Sequence, residues 1–91
     1  MAETTLTVKH EAGLHARPLA LFVKTVNEFN AEIQVTNLTR EKGPVNGASM
    51  VQLLLLAVLP EHQIKIETSG EQGDELMAAL TELVESNFGE N

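Results

Sequence analysis

Hydrophobic and polar positions alternate with period two at Thr5-Leu6-Thr7-Val8-Lys9, which predicts a half-buried strand over about residues 4–9. Gly13 breaks that pattern, and Leu19, Phe22, Val23 and Val26 then recur at the three-and-four spacing of an amphipathic helix closing near Phe29. Alternation returns at Ala31, Ile33 and Val35, and a turn around Thr39-Arg40 leads to a short strand ending near Val45, so these two strands are expected to form a hairpin. Asn46-Gly47 punctuates the chain before a run in which nine of the ten residues from Met50 to Leu59 are apolar. Its Leu, Met, Ala and Gln content favours helix, and Pro60 supplies a stop. Ile64 and Ile66 alternate with Gln63, Lys65 and Glu67 as a last strand. Leu76, Met77, Leu80, Leu83 and Val84 then line one stripe of a helix from about Gln72 to Asn87, with Asp74 and Glu75 in its first turn, where the helix dipole favours negative charge.

The order strand, helix, strand, strand, helix, strand, helix implies an α+β domain in two layers, a small sheet with helices on one face. With 91 residues there is room for one modest core, expected over 1–88, with 89–91 as a fraying tail. The formal charge of -7, from 6 basic and 13 acidic residues, repels phosphate backbones and anionic lipid heads, which argues against a nucleic-acid partner. The chain has no cysteine, so disulfides, a thiol nucleophile and zinc-thiolate sites are excluded. The start, Met1-Ala2-Glu3-Thr4-Thr5, lacks the basic and apolar stretches of a secretory signal, and a cytoplasmic location is expected. The Met50 to Leu59 run is half the length of a spanning helix, about 20 residues, so no membrane insertion is expected.

One segment does not read as framework: Gly13-Leu14-His15-Ala16-Arg17-Pro18, between the first strand and the first helix. His15 falls at or next to the first helical residue, where unpaired backbone N–H groups and the positive end of the dipole stabilise an anion carried by the ring. Arg17, two residues on, offers a permanently charged planar fork to phosphate oxygens. Pro18 costs little in a first turn, whose N–H groups have no intrahelical acceptor. An ordinary histidine is largely neutral at cell pH and hence nucleophilic without an activating base. It accepts a phosphoryl group in a labile P–N bond, which suits a carrier.

The stretch Gly13-Leu14-His15-Ala16-Arg17-Pro18 closely resembles the phosphorylation motif of the histidine-containing phosphocarrier (HPr) family of the bacterial phosphoenolpyruvate-dependent sugar phosphotransferase system, and the likeness extends over almost the whole chain. It implies an open-faced two-layer sandwich, a four-stranded antiparallel sheet covered on one side by three helices. It further implies that His15 is the phosphoryl acceptor, as a pros-phosphohistidine, and that Arg17 stabilises the phosphate together with the backbone of Ala16 and Arg17. The implied protein is a monomeric carrier rather than an enzyme, without cofactor, taking phosphate from enzyme I and passing it to sugar-specific IIA proteins.

A second family feature is a regulatory serine in a context like Val-Asn-X-Lys-Ser. Val45-Asn46-Gly47-Ala48-Ser49 matches it with Ala48 in place of lysine, which makes Ser49 the candidate target of a serine kinase. The plain alternative for Ser49 is a helix cap. Met50, Val51, Leu53 and Leu54 are expected to leave an exposed apolar patch for partners, with Lys24 the lysine near the site. A reading of another class is a regulatory interaction module, switched by phosphate and bound to a transcriptional regulator or a metabolic enzyme. The two histidines of His10-Glu11-Ala12-Gly13-Leu14-His15 are five apart across a glycine and cannot share a helix face, so a zinc-protease-like site is not expected. His62, beside Pro60 and without a second ligand at any metal-binding spacing, is read as a surface residue.

Overall fold

The alternating apolar residues need a cover on one side only, and the chain provides it with helices. The computed structural model describes residues 2–90. Its elements are β1 (Ala2–Thr7), α1 (Ala16–Val26), β2 (Glu32–Asn37), β3 (Lys42–Asn46), α2 (Met50–Leu55), β4 (Gln63–Ser69) and α3 (Gly73–Glu85), followed by a single 3-10 turn at Asn87–Gly89. The four strands form one antiparallel sheet in the order β1-β4-β2-β3, and the three α-helices lie on one face of it, the open-faced two-layer arrangement expected from the sequence. No helix of the described residues is long and apolar enough to cross a membrane.

Register follows from the pleat. Leu6 stands opposite Ile64 and Val35 opposite Ile66, so the apolar members of neighbouring strands fall on the same, helix-covered face. Against them pack Leu19, Phe22 and Val26 of α1, Leu53 of α2, and Leu76, Leu80 and Val84 of α3. Lys65 and Glu67 meet at 3.6 Å among partly exposed strand residues, a surface pair of small energetic consequence.

Element boundaries differ from the sequence expectation where tertiary partners intervene. The first strand begins at Ala2 and ends at Thr7, but Val8 continues to pair, donating to His62 O at 2.9 Å and accepting from Glu61 N–H at 2.7 Å. Helix α1 ends at Val26, three residues short of Phe29, although Phe29 N–H still donates to Val26 O at 3.3 Å. Helix α2 stops at Leu55 and does not run on to Pro60. The cause is Ala57, left-handed at φ 50°, after which the chain leaves the helix and drives Leu56 and Val58 into the core as loop residues. The dense apolar run therefore reflects two structures in succession, a short helix and a buried loop.

That loop is organised by Asn37, a fully buried residue at the end of β2. Its Nδ2 donates to Leu56 O at 2.9 Å and to His62 Nδ1 at 3.2 Å, while its Oδ1 accepts from Arg40 N–H at 3.2 Å. His62 is accordingly half-buried, and the surface placement expected for it is corrected: its Nδ1 also accepts from Leu59 N–H at 3.1 Å. At the other end of the chain Phe88, the last residue of the expected domain, is buried, and Glu90 reaches His10 at 2.8 Å, while Asn91 lies outside the described residues.

Replacing Asn37 with Ala leaves a carbonyl and a peptide N–H without their buried partners. Asn37→Ala is expected to lower unfolding stability by about 2–3 kcal/mol, read from urea denaturation midpoints at unchanged slope. A loss below about 0.5 kcal/mol would show that water replaces those bonds.

Candidate functional site

His15 occupies the N-cap of α1, with extended backbone at φ -136° and ψ 168°, and is half-exposed. Its side chain makes no capping bond, so the N–H groups of the first turn, which have no intrahelical partner, are left to whatever approaches the ring. The next residue, Ala16, sits at φ 50°, a left-handed conformation that costs a residue with a Cβ roughly 1–2 kcal/mol. A left-handed residue followed by right-handed helix turns successive N–H groups to one side, the concave arrangement that receives anions. Pro18 is buried in the first turn and gives up no hydrogen bond there.

The strained turn is held from behind. Gly13 at φ 64° donates to His10 O at 2.8 Å, and Leu14, fully buried, donates to Val58 O at 3.0 Å. Gly13 fits so closely that a Cβ there would lie 2.2 Å from Val58 O and 3.0 Å from Leu59 Cα. The histidine loop is thus fastened to the buried loop that follows α2.

The His15 ring is oriented by one bond, from Nδ1 to Ala12 O at 3.1 Å. A carbonyl can only accept, so in this resting geometry Nδ1 carries the proton and Nε2 the lone pair. The pros nitrogen expected to take phosphate is therefore engaged, and it must leave Ala12 before it can react. Arg17 is exposed and lines a shallow groove between α1 and α3 together with Glu28, Glu82, Ser86 and Gly89. Among the described residues no carboxylate lies within 4.0 Å of its guanidinium, and no hydrogen bond joins it to His15. The structure places the two groups two residues apart at the start of the same helix, with no hydrogen bond between them. Lys24 is exposed in the last turn of α1, at the far end of that helix.

The apolar surface of α2 is present, with one correction. Met50, Val51 and Leu54 are exposed, Val51 to 70%, but Leu53 is 0% exposed and belongs to the core. Its position follows from helical periodicity: Leu53 and Leu56 are three apart and point inward, which turns 51, 54 and 55 outward and leaves Met50 on the flank at 45% exposure. Leu55, at 66%, and Leu59, in the loop beyond the helix, complete the patch. Leu59 brings the edge of the patch against Gly13, two residues before His15. Ser49 is the N-cap of α2 and accepts from Gln52 N–H at 3.2 Å, the capping role weighed against regulation. Gln52 Oε1 accepts from Asn46 N–H at 2.9 Å, while Ser49 N–H donates to Asn46 O at 3.1 Å, so the helix start is tied to the end of β3.

His10 is the residue that sequence reasoning missed. It is 8% exposed, packs edge-on against Phe88 at 5.9 Å, and binds both Ala12 and Glu90. The sequence carries no local signal for this, since Glu90 is 80 residues away.

Comparison with known proteins bears directly on this site. Residues 2–86 match the family model described as the PTS HPr component phosphorylation site. The chain is 36% identical over 90 residues to the phosphocarrier protein HPr of Neisseria meningitidis, covering 99% of this chain and 98% of that one. It is also 36% identical over 83 residues to a multiphosphoryl transfer protein of Salmonella typhimurium, covering 91% of this chain but only 22% of that protein's length. Among solved structures it superposes on HPr-C-His from Thermoanaerobacter tengcongensis with TM-score 0.93 and 37% identity, over 100% of this chain and 99% of the other. A phosphocarrier protein HPr from Bacillus anthracis gives TM-score 0.83 at 34% identity, covering 91% and 95% of the two chains.

Two outcomes test the geometry. Gly13→Ala is expected to destabilise the domain by about 1–3 kcal/mol, since its Cβ meets backbone and its φ is unfavourable, with the largest amide shifts at 13–16 and 57–59 in NMR spectra. Leu53→Ala is expected to cost about 2–5 kcal/mol in denaturation, against less than about 0.5 kcal/mol for Val51→Ala, because the first removes core and the second exposed surface.

Proposed function

The chain belongs to the PTS HPr family, and from that premise we propose that it is a phosphoryl carrier in which His15 takes a phosphoryl group from phosphorylated enzyme I and hands it to sugar-specific IIA proteins. The observation that carries this reading is the cap itself: a half-exposed imidazole ahead of an eleven-residue helix, followed by left-handed Ala16, with first-turn N–H groups unused. Such a site stabilises a phosphorylated ring without a metal or cofactor, and it lets the group go again because the P–N bond is labile. The ring is half-exposed, which suits a group handed between protein surfaces.

Transfer begins with the ring leaving Ala12 O. The proton shifts from Nδ1 to Nε2 through solvent, and the Nδ1 lone pair then attacks phosphorus as the donor's bond to phosphorus breaks and the donor keeps that electron pair. The phosphoryl oxygens are received by the N–H groups of Ala16 and Arg17, and the Arg17 guanidinium swings from its groove to add charge-assisted bonds. Lacking a carboxylate partner among the described residues, Arg17 has no ion pair to break for this movement. The exposed part of α2, from Met50 to Leu55, with Leu59 beside the loop, provides the surface on which enzyme I and IIA proteins dock in turn. Ser49 takes no part in the carrier chemistry, because its hydroxyl serves as the cap of α2.

The test is incubation with enzyme I and labelled phosphoenolpyruvate. The parent protein is expected to gain an acid-labile, base-stable label bound at Nδ1 of His15, and His15→Ala to gain none. Retention of acid-labile label in that variant would sink the assignment. Arg17→Ala is expected to remain within about 0.5 kcal/mol of parent stability while transferring roughly 100-fold more slowly. A parental rate in the folded variant would remove Arg17 from the site.

A further inference from the structure

His10 lies outside the phosphorylation motif, yet its side chain and its backbone both grip the turn that orients His15. Its carbonyl accepts from Gly13 N–H at 2.8 Å, and its ring Nδ1 accepts from Ala12 N–H at 3.0 Å. The two peptide groups flanking Ala12 are therefore both held by His10. Holding Gly13 N–H toward His10 aims the Ala12 carbonyl, on the opposite side of the same planar peptide, at the His15 ring. There it accepts from Nδ1 at 3.1 Å.

The state of His10 is itself determined. With Nδ1 occupied as an acceptor, its proton is on Nε2, and Nε2–H donates to Glu90 Oε2 at 2.8 Å. The contact is thus a hydrogen bond between a neutral imidazole and a carboxylate, not an ion pair. Glu90 pulls on the Nε2 proton and makes Nδ1 a stronger acceptor, as carboxylates do for metal-bound histidines. Phe88 fixes the ring plane at 82° to its own. A continuous chain of donors and acceptors runs from the C-terminal segment to the functional ring: Glu90, His10, Ala12, His15.

We propose that His10, held by Glu90, is a positioning residue that keeps the proton of unphosphorylated His15 on Nδ1. Which nitrogen of a histidine is protonated is set by the partner of the other or of the proton itself, and here that partner is a carbonyl whose direction His10 controls. A free histidine side chain prefers the opposite tautomer, with the proton on Nε2, so the hold has a measurable consequence. The catalytic meaning rests on the carrier reading of His15, because this tautomer is the guarded state from which Nδ1 must be released. The tautomer itself is a property of the unphosphorylated protein.

The experiment is to record the ring nitrogen chemical shifts of His15 by NMR at about pH 8, where imidazoles are neutral, in the full chain and three variants. The parent is expected to show a pyrrole-type Nδ1 and a pyridine-type Nε2. In His10→Ala the shifts of both nitrogens are expected to move toward each other, as the Nε2–H form gains a comparable share. His10→Asn is expected to restore the shifts to the position seen in Glu90→Ala, because an asparagine side-chain oxygen accepts from the N–H two residues on but replaces only that contact and not the bond to Glu90. A role limited to filling space against Phe88 would not be rescued by Asn. Glu90→Ala, which leaves the His10 ring in place, is expected to shift His15 in the same direction by a smaller amount, and it serves if His10→Ala does not fold. Parent-like His15 shifts in folded His10→Ala, failure of His10→Asn to restore the shifts to the Glu90→Ala position, or an unmoved His15 in Glu90→Ala would overturn the proposal. Failure to phosphorylate His15 would instead overturn the carrier reading and leave these shifts unaffected.

Discussion

The bond from Leu14 N–H to Val58 O, 3.0 Å long, is the fastening on which the site depends. It joins the loop that carries His15 to the loop that ends α2, with Gly13 pressed so close to Val58 that no larger residue fits. Leu14 is buried beneath it, so separating the loops would expose apolar surface as well as break the bond. Only with the chain anchored this way can Ala16 be kept in a left-handed conformation it does not favour. The backbone strain that aims N–H groups outward is thus offset by contacts immediately behind it.

The partner loop needs its own anchor, because it begins where a short helix stops. Asn37 provides it from the sheet, binding Leu56 O and His62 Nδ1, and His62 in turn receives Leu59 N–H. Support therefore passes from β2 through Asn37 to residues 56–62, and from Val58 to the His15 loop. On the other side His10 and Glu90 tie the same loop to the end of the chain. Two histidines, each with Nδ1 as acceptor, thus hold the two loops that meet at Leu14 and Val58.

Charge is distributed in keeping with this division. The chain carries -7 overall, yet the surface next to His15 is mostly apolar along α2, with Arg17 among the few cations near it. A net negative protein disfavours loose association with anions, while a local cluster of N–H dipoles and one guanidinium favours a single bound phosphoryl group.

Sequence alone determined the layer architecture, because strict alternation at Leu6, Ile33, Val35, Ile64 and Ile66 admits one buried sheet face, and the stripes around Phe22 and Leu80 supply its cover. It also singled out His15 and Arg17, since a histidine before a first-turn proline carries its physics locally. The end of α2 was not legible. Met50 to Leu59 has the composition of a longer helix, and what stops it, Ala57 turning left-handed while Asn37 Nδ2 donates to Leu56 O, is a contact with β2. The same limit placed Leu53 on the wrong side, as a near-continuous apolar run shows no face until the core selects one. His10 and His62 read as bystanders because their partners, Glu90 and Asn37, are 80 and 25 residues distant. Local pattern encodes which faces seek burial; which side chains complete another segment's hydrogen bonds is decided only when the chain closes on itself.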